Sequence, residues 1–334
     1  SKLLTGTLST AGGTSQHISP GFGTPDLVLL WMSAAETPTE TQQNFSFGVL
    51  TGVSQATIGT RALTNQNSGS WRSSRVQKQG SALALPNDDG SATSNEWTGS
   101  IIPDGFEMQA TAGTTDARMV MALMIKGTVG VQLVSAAADR ATKIPTTVRP
   151  DMLIAMTTGQ FRTSEVSTSG SVSYGFATNV KQTNVRVTPG HLLGSQTRCR
   201  VSTDSVVDYI GWRVAVDNFV SDGFTPVPIS SPSSSTDIYY LVLELLDPNN
   251  IDFGYSAPAV SGFTWRTDTS WQAGSGVNIF VNDMTLYDTE KEEFVYALNH
   301  WGWDADGTAG AVCIASEGSD GNDDSRTYSL ADSA

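Results

Sequence analysis

The chain states one strand twice. Pro25-Asp26-Leu27-Val28-Leu29-Leu30-Trp31-Met32-Ser33 returns 125 residues later as Pro150-Asp151-Met152-Leu153-Ile154-Ala155-Met156-Thr157-Thr158. Each apolar run is too short for an ordinary helix and is apolar at both parities. That pattern belongs to a strand covered on both faces rather than on one. Two such strands demand protein above and below them, and everything else has to be placed around that demand.

Further blocks repeat in the same order, which makes the chain an internal duplication. Leu8 matches Leu133 at the same displacement of 125. Phe45-Ser46-Phe47-Gly48-Val49-Leu50-Thr51 matches Val172-Ser173-Tyr174-Gly175-Phe176-Ala177-Thr178 at 127, and Gln55 and Gln182 keep that offset. Asp104-Gly105-Phe106 matches Asp222-Gly223-Phe224, and the stretch Asp116 to Leu123 matches Asp237 to Glu244. Alternation of apolar and small residues in the Ser-Phe-Gly and Ser-Tyr-Gly blocks is that of a half-buried strand. Asp-Gly ahead of Phe is turn chemistry leading into a strand.

These elements predict an all-β chain of tandem antiparallel β-sandwiches, jelly-roll-like, with two related repeats over 1–128 and 129–248 and a divergent β segment over 249–334. Leu27, Leu29, Met121, Ile154 and Val242 are the expected core. A helix is conceivable only over Val134 to Ala141, between the repeats. In the last segment Gly276 to Val281 and Glu293 to Leu298 read as strands, but no second Asp-Gly-Phe block follows. An incomplete sandwich exposes an apolar face and an unpaired edge, so subunit contact is expected there.

Composition narrows the function. Charged residues make up only 16% of the chain, and 32 Gly with 13 Pro suit many short strands and turns. A net charge of −14 leaves no basic surface for a nucleic-acid backbone. No apolar window reaches the length of a membrane span. Residues 1–4 lack a signal-peptide layout, and a small first residue fits either loss of an initiator Met or a processed secreted chain. Cys199 and Cys313 stand far apart without a CxxC spacing, so a long-range disulfide and two free thiols both stay open.

Catalytic motifs are missing. His17, His191 and His300 fall in no metal-ligand spacing, and no nucleophile elbow, phosphate loop or dinucleotide fingerprint follows a strand. The densest polar-aromatic cluster is His300-Trp301-Gly302-Trp303-Asp304-Ala305-Asp306-Gly307. Asp304 and Asp306 before a glycine resemble the opening of a calcium loop, with Asp320, Asn322, Asp323 and Asp324 as further oxygen donors, although the closing Glu of an EF-hand is absent. An acidic turn is the plainer origin of the same pattern. Trp301 and Trp303 point the same way along a strand and would stack on a sugar or fill an interface. Glu290, Glu292 and Glu293 around Lys291 read as a solvated turn more readily than as a glycosidase pair. Asn44 opens a formal glycosylation sequon inside a repeat strand. Cys199, between Arg198 and Arg200, has no partner motif for catalysis.

The repeated Pro-Asp strand, the Ser-Phe-Gly or Ser-Tyr-Gly strand and the late Asp-Gly-Phe block resemble β-rich repeats in virion proteins of tailed bacteriophages. The resemblance covers about residues 5 to 247 and implies a non-enzymatic tail, fibre or capsid-decoration protein on a virion surface, assembling symmetrically with itself and other virion subunits. It carries no site residues. A subunit of a bacterial extracellular filament is the neighbouring possibility. The alternative of another class is a carbohydrate-binding module for a host-surface glycan, using Trp301, Trp303 or an exposed Trp71 and Trp97.

Overall fold

A computed structural model describes residues 2–9, 11–32, 42–64, 71–87, 91–113, 117–159, 166–168, 171–180, 182–188, 198–202, 204–209 and 211–246, and beyond these the backbone of six short strands. The first ten strands are β1 (Lys2–Ser9), β2 (Ser15–Ile18), β3 (Leu27–Met32), β4 (Gln42–Thr51), β5 (Gln55–Thr64), β6 (Trp71–Gln79), β7 (Leu83–Pro86), β8 (Thr93–Ile102), β9 (Gly105–Ala112) and β10 (Ala117–Ile125). They form a large sheet ordered β6-β5-β4-β3-β10-β1 and a small one ordered β2-β9-β8-β7.

The next eleven are β11 (Thr128–Ala137), β12 (Ile144–Pro145), β13 (Met152–Thr157), β14 (Val166–Thr168), β15 (Val172–Ala177), β16 (Gln182–Thr188), β17 (Arg198–Ser202), β18 (Val207–Tyr209), β19 (Trp212–Val220), β20 (Gly223–Pro228) and β21 (Asp237–Leu245). Their large sheet runs β17-β16-β15-β13-β21-β11 and their small one β12-β20-β19-β18. With β14 set aside, the second unit has the strand order of the first. The last segment contributes β22 (Gln272–Ala273), β23 (Thr285–Asp288), β24 (Glu293–Tyr296), β25 (Trp301–Trp303), β26 (Gly310–Glu317) and β27 (Asp323–Ser329). Of these, β23 to β27 form a sheet of their own. All pairings are antiparallel, and no helix occurs among the described residues.

Succession along the chain is not succession in space. One core lies between the two sheets of the first unit and takes Leu4, Val28, Leu30, Met32, Trp97 and Phe106. Another lies between the sheets of the second unit and takes Leu153, Ala155, Val214, Phe224, Tyr240 and Val242. The third and largest lies between the two large sheets. There Leu27, Leu29, Trp31, Phe45, Phe47 and Val49 meet Met152, Ile154, Met156, Val172, Tyr174 and Phe176. The two units together therefore form a stack of four layers, small-large-large-small. The Pro-Asp strands are apolar at both parities because alternate side chains serve two different cores. Leu27, Leu29, Ile154 and Val242 are buried as expected; the side chain of Met121 lies outside the described residues.

The duplicated blocks carry duplicated contacts. Ser46 Oγ accepts the Ala84 N–H at 3.3 Å, and Ser173 Oγ accepts the Asp208 N–H at 2.9 Å. In both units the serine ties the large sheet to an edge strand of the small one, β7 in the first unit and β18 in the second. Two residues on, a Cβ on Gly48 would sit 1.6 Å from the Ala82 carbonyl oxygen, and one on Gly175 would sit 2.2 Å from that of Val206. The aromatic residue between serine and glycine points the other way, into the shared core. Gln55 Oε1 accepts the Gly99 N–H at 2.8 Å and Gln182 Oε1 the Val216 N–H at 2.9 Å, another sheet-to-sheet tie made twice. Asp26 and Asp151 accept backbone N–H groups at the end of the neighbouring strand, from Gly127 at 2.7 Å and Leu245 at 2.8 Å.

Four sequence expectations need correction. The Ser-Phe-Gly and Ser-Tyr-Gly strands are not half-buried: Phe45 to Thr51 and Val172 to Ala177 are buried on both faces, because the small residues lie under the small sheet and the aromatic ones in the shared core. Pairing of Leu27 with Ile125 and of Met152 with Leu243 places the last block at a displacement of 118, three residues from the match at Asp116 and Asp237. Leu8 and Leu133 are not equivalent, since Leu8 faces the core of its own unit and Leu133 packs against the shared one. Val134 to Ala137 is strand rather than helix, paired from Val134–Tyr240 to Ala137–Asp237. Val134 and Ala136 face the core of the second unit, as strand alternation requires, and cross-strand pairing prevails over a short stretch of weak helical preference.

Strands also cross between units. β14, from the second unit, pairs with β6 at the rim of the first unit's large sheet. At the opposite rim β22 pairs with β1 through Leu4–Ala273 and Thr5–Gln272.

Candidate functional site at an open sheet edge

Lys126 and Asp139 bracket a stretch, 127–138, without a single charge. Most of it is β11, ten residues paired, among the described residues, to β21 alone. Val131 and Leu133 pack against the shared core while Val134 and Ala136 serve the core of the second unit, so both faces are used. The outer rim is not. Among the described residues no strand pairs with it, and Val129 near its start is 63% exposed. β1 holds the matching place in the first unit, and there β22 covers the rim.

An open cleft of about 450 Å³ lies beside this strand. Its walls are the β4–β5 turn at Gly52 and Val53, Gln79 at the end of β6, Ser100 and Ile101 of β8, and Leu133 of β11. No charged residue lines it. Val53 is 84% exposed, and its repeat counterpart Val180, on the β15–β16 turn, is also exposed. Such a cleft offers neutral polar groups and apolar rims, suited to contact rather than to acid-base chemistry.

The unit boundary nearby is closed by a polar latch from β6. Arg75, 7% exposed, donates through Nη1 to the Thr158 carbonyl at 2.7 Å and to the Tyr209 hydroxyl, and its guanidinium lies over the Tyr209 ring. Gln77 donates to the Asp237 carbonyl at 3.1 Å and accepts the Thr158 N–H at 2.8 Å. Burial pushes the Tyr174 and Tyr240 hydroxyls up, with the Trp31 indole partly opposing the shift at Tyr174. The Lys143 ammonium beside Asp222 pulls that exposed carboxyl down. Asp151 on Arg149 raises the guanidinium further. None of these shifts gathers an acid and a base in one cleft.

The residues singled out in the sequence are scattered. Trp97 is buried at 1% exposure with its indole N–H on the Ser9 carbonyl, so it cannot serve as an exposed glycan platform. His17 is exposed on β2, 3.5 Å from Glu107. Trp301 and Trp303 stand on β25, opposite Val312 and Gly310 of β26. Glu293 opens β24, and Asp323 and Asp324 open β27. Cys199 is on β17 and Cys313 on β26, and Asn44 and Trp71 are on β4 and β6; the side chains of all these strand residues, Trp301 and Trp303 included, lie outside the description. Asp304, Asp306, Asp320, Asn322, Glu290, Lys291, Glu292, His191 and His300 lie outside the described residues, as do Gly276 to Val281. Among the described residues no three His, Cys, Asp or Glu side chains are placed to share a metal, and no helix is long and apolar enough to cross a membrane.

A rim has no signature residue, so no motif marks the open edge. Its signal was an absence, the charge-free run between Lys126 and Asp139. No family model, curated protein or solved structure matches the chain.

Proposed function

We propose that the chain is a non-enzymatic structural subunit of a symmetric assembly, of the virion-surface, decoration or tail kind, and that it works through contacts between sheet edges. The observation that supports this reading is β11. A ten-residue edge strand without charge or proline is a template for another strand, and proteins that stay monomeric blunt such edges. This chain closes its neighbouring rims with added strands, β14 on β6 and β22 on β1.

Charge is divided in a way that fits two kinds of contact. Residues 251–334 hold 14 acidic and 3 basic residues, so −11 of the net −14 belongs to the last segment. The two large units are close to neutral and carry the uncharged rim, while the acidic segment is suited to a cationic neighbour or to solvent.

Light scattering on the full chain over a hundredfold range of concentration tests the reading. A defined oligomer is expected. A monomer throughout, in the presence and absence of calcium, would end it.

A further inference from the structure

Given that assembly reading, on which this inference rests, we infer that the partner at β11 is β11 of a second copy. Two copies pair antiparallel along this strand across a twofold axis and join two six-stranded sheets into one.

The other rims of the described sheets are covered, charged or short. In the large sheets β6 is covered by β14 and β1 by β22. β17 carries Arg198 and Arg200, the charges that usually keep a rim unpaired. The rims of the small sheets, β2, β7, β12 and β18, are four residues or shorter. A second copy therefore presents one long uncharged rim among its described residues, and it is β11.

Self-pairing also meets no electrostatic objection. Because 127–138 contains no ionisable side chain, no like charges face each other in any antiparallel register. A register centred on Gln132 brings exposed Val129 opposite Ser135 of the partner subunit, and Ser135 is likewise exposed. The gain comes from main-chain hydrogen bonds, while apolar neighbours such as Val53 at the cleft mouth add contact area.

The test is sedimentation of the full chain alongside the double variant Val129→Lys, Ser135→Lys. Both side chains are exposed in the monomer, so the melting temperature should hold, whereas the dimer would set lysine against lysine. A rise in the dimer dissociation constant of about 100-fold or more is expected. Hydrogen exchange on the unaltered chain supplies a second readout that needs no variant: the outward-facing amides of 128–137 should be protected when concentrated and lose protection on dilution. If the chain associates but the variant does so equally well and these amides stay unprotected, the β11 axis is wrong and the assembly reading survives. If the chain is monomeric at every concentration, both fall.

Discussion

Phe47 and Tyr174 stack across the boundary between the two units, with ring centroids 4.3 Å apart and planes 17° from parallel. They are the same position of the repeat, each between the serine that ties the small sheet and the glycine that admits it. Contact between equivalent residues means that an approximate twofold axis passes close to this pair. The large sheets face each other as the subunits of a symmetric dimer do, within one chain.

The stack should show up as coupling. Phe47→Ala is expected to cost about 3–5 kcal/mol as a cavity in the shared core. A cycle of Phe47→Leu with Tyr174→Leu, measured by urea unfolding, should return a coupling of about 0.5–1.5 kcal/mol beyond the separate losses. Additivity of the two changes would mean the rings merely fill space.

Glycines of the repeat should be irreplaceable for a steric reason. Gly48→Ala and Gly175→Ala each drive a methyl into a backbone carbonyl, at 1.6 Å and 2.2 Å, with no side chain that can swing aside. Each should destabilise by about 3 kcal/mol or more. Gly52→Ala, on a turn with open space around it, is the control and should leave the melting temperature within a degree or two.

Neither unit should be soluble alone. A chain ending at residue 126 would expose Leu27, Leu29, Trp31, Phe45, Phe47 and Val49, all buried against the second unit in the intact protein. Aggregation of each half expressed alone, and recovery of a soluble complex on co-expression, is the expected result. A soluble, monomeric first unit would show that the shared core is dispensable.

Alkaline pH should unfold the protein in a defined window. Burial raises the Tyr174 and Tyr240 hydroxyls above the ordinary phenol value of about 10, so the folded state keeps protons that the unfolded chain releases. Their contribution to stability is complete below about pH 10 and declines as pH rises beyond it. The Tyr240 hydroxyl has no hydrogen-bond partner among the described residues. Tyr240→Phe should therefore hold or raise the melting temperature at neutral pH and flatten the fall above pH 10. An unchanged alkaline slope would mean that Tyr240 is hydrated.

The local rules were legible. That Phe45 to Val49 and Val172 to Phe176 are strands, that a turn at Asp104 leads into β9, and that Leu27 and Ile154 are buried all follow from strand geometry and turn chemistry, which depend on neighbours in sequence; that the first two strands are covered on both faces rather than one does not. Leu8 and Leu133 are alike as letters, and only pairing shows that they face different cores. The open edge at β11 was hidden for a related reason: whether a strand has a neighbour is a property of the rest of the chain.

What the amino-acid order determined by itself is that Leu27 to Met32 and Met152 to Thr157 are strands covered on both sides, since side-chain alternation is a covalent consequence of the extended backbone. It could not say what covers them. Tertiary structure decided that Val28 and Leu30 look to their own small sheet while Leu27 and Leu29 look to the other unit. The choice of partner for an apolar face is made by shape and room, by Gly48 and Gly175 letting the small sheets close in on one side and by Phe47 and Tyr174 meeting on the other.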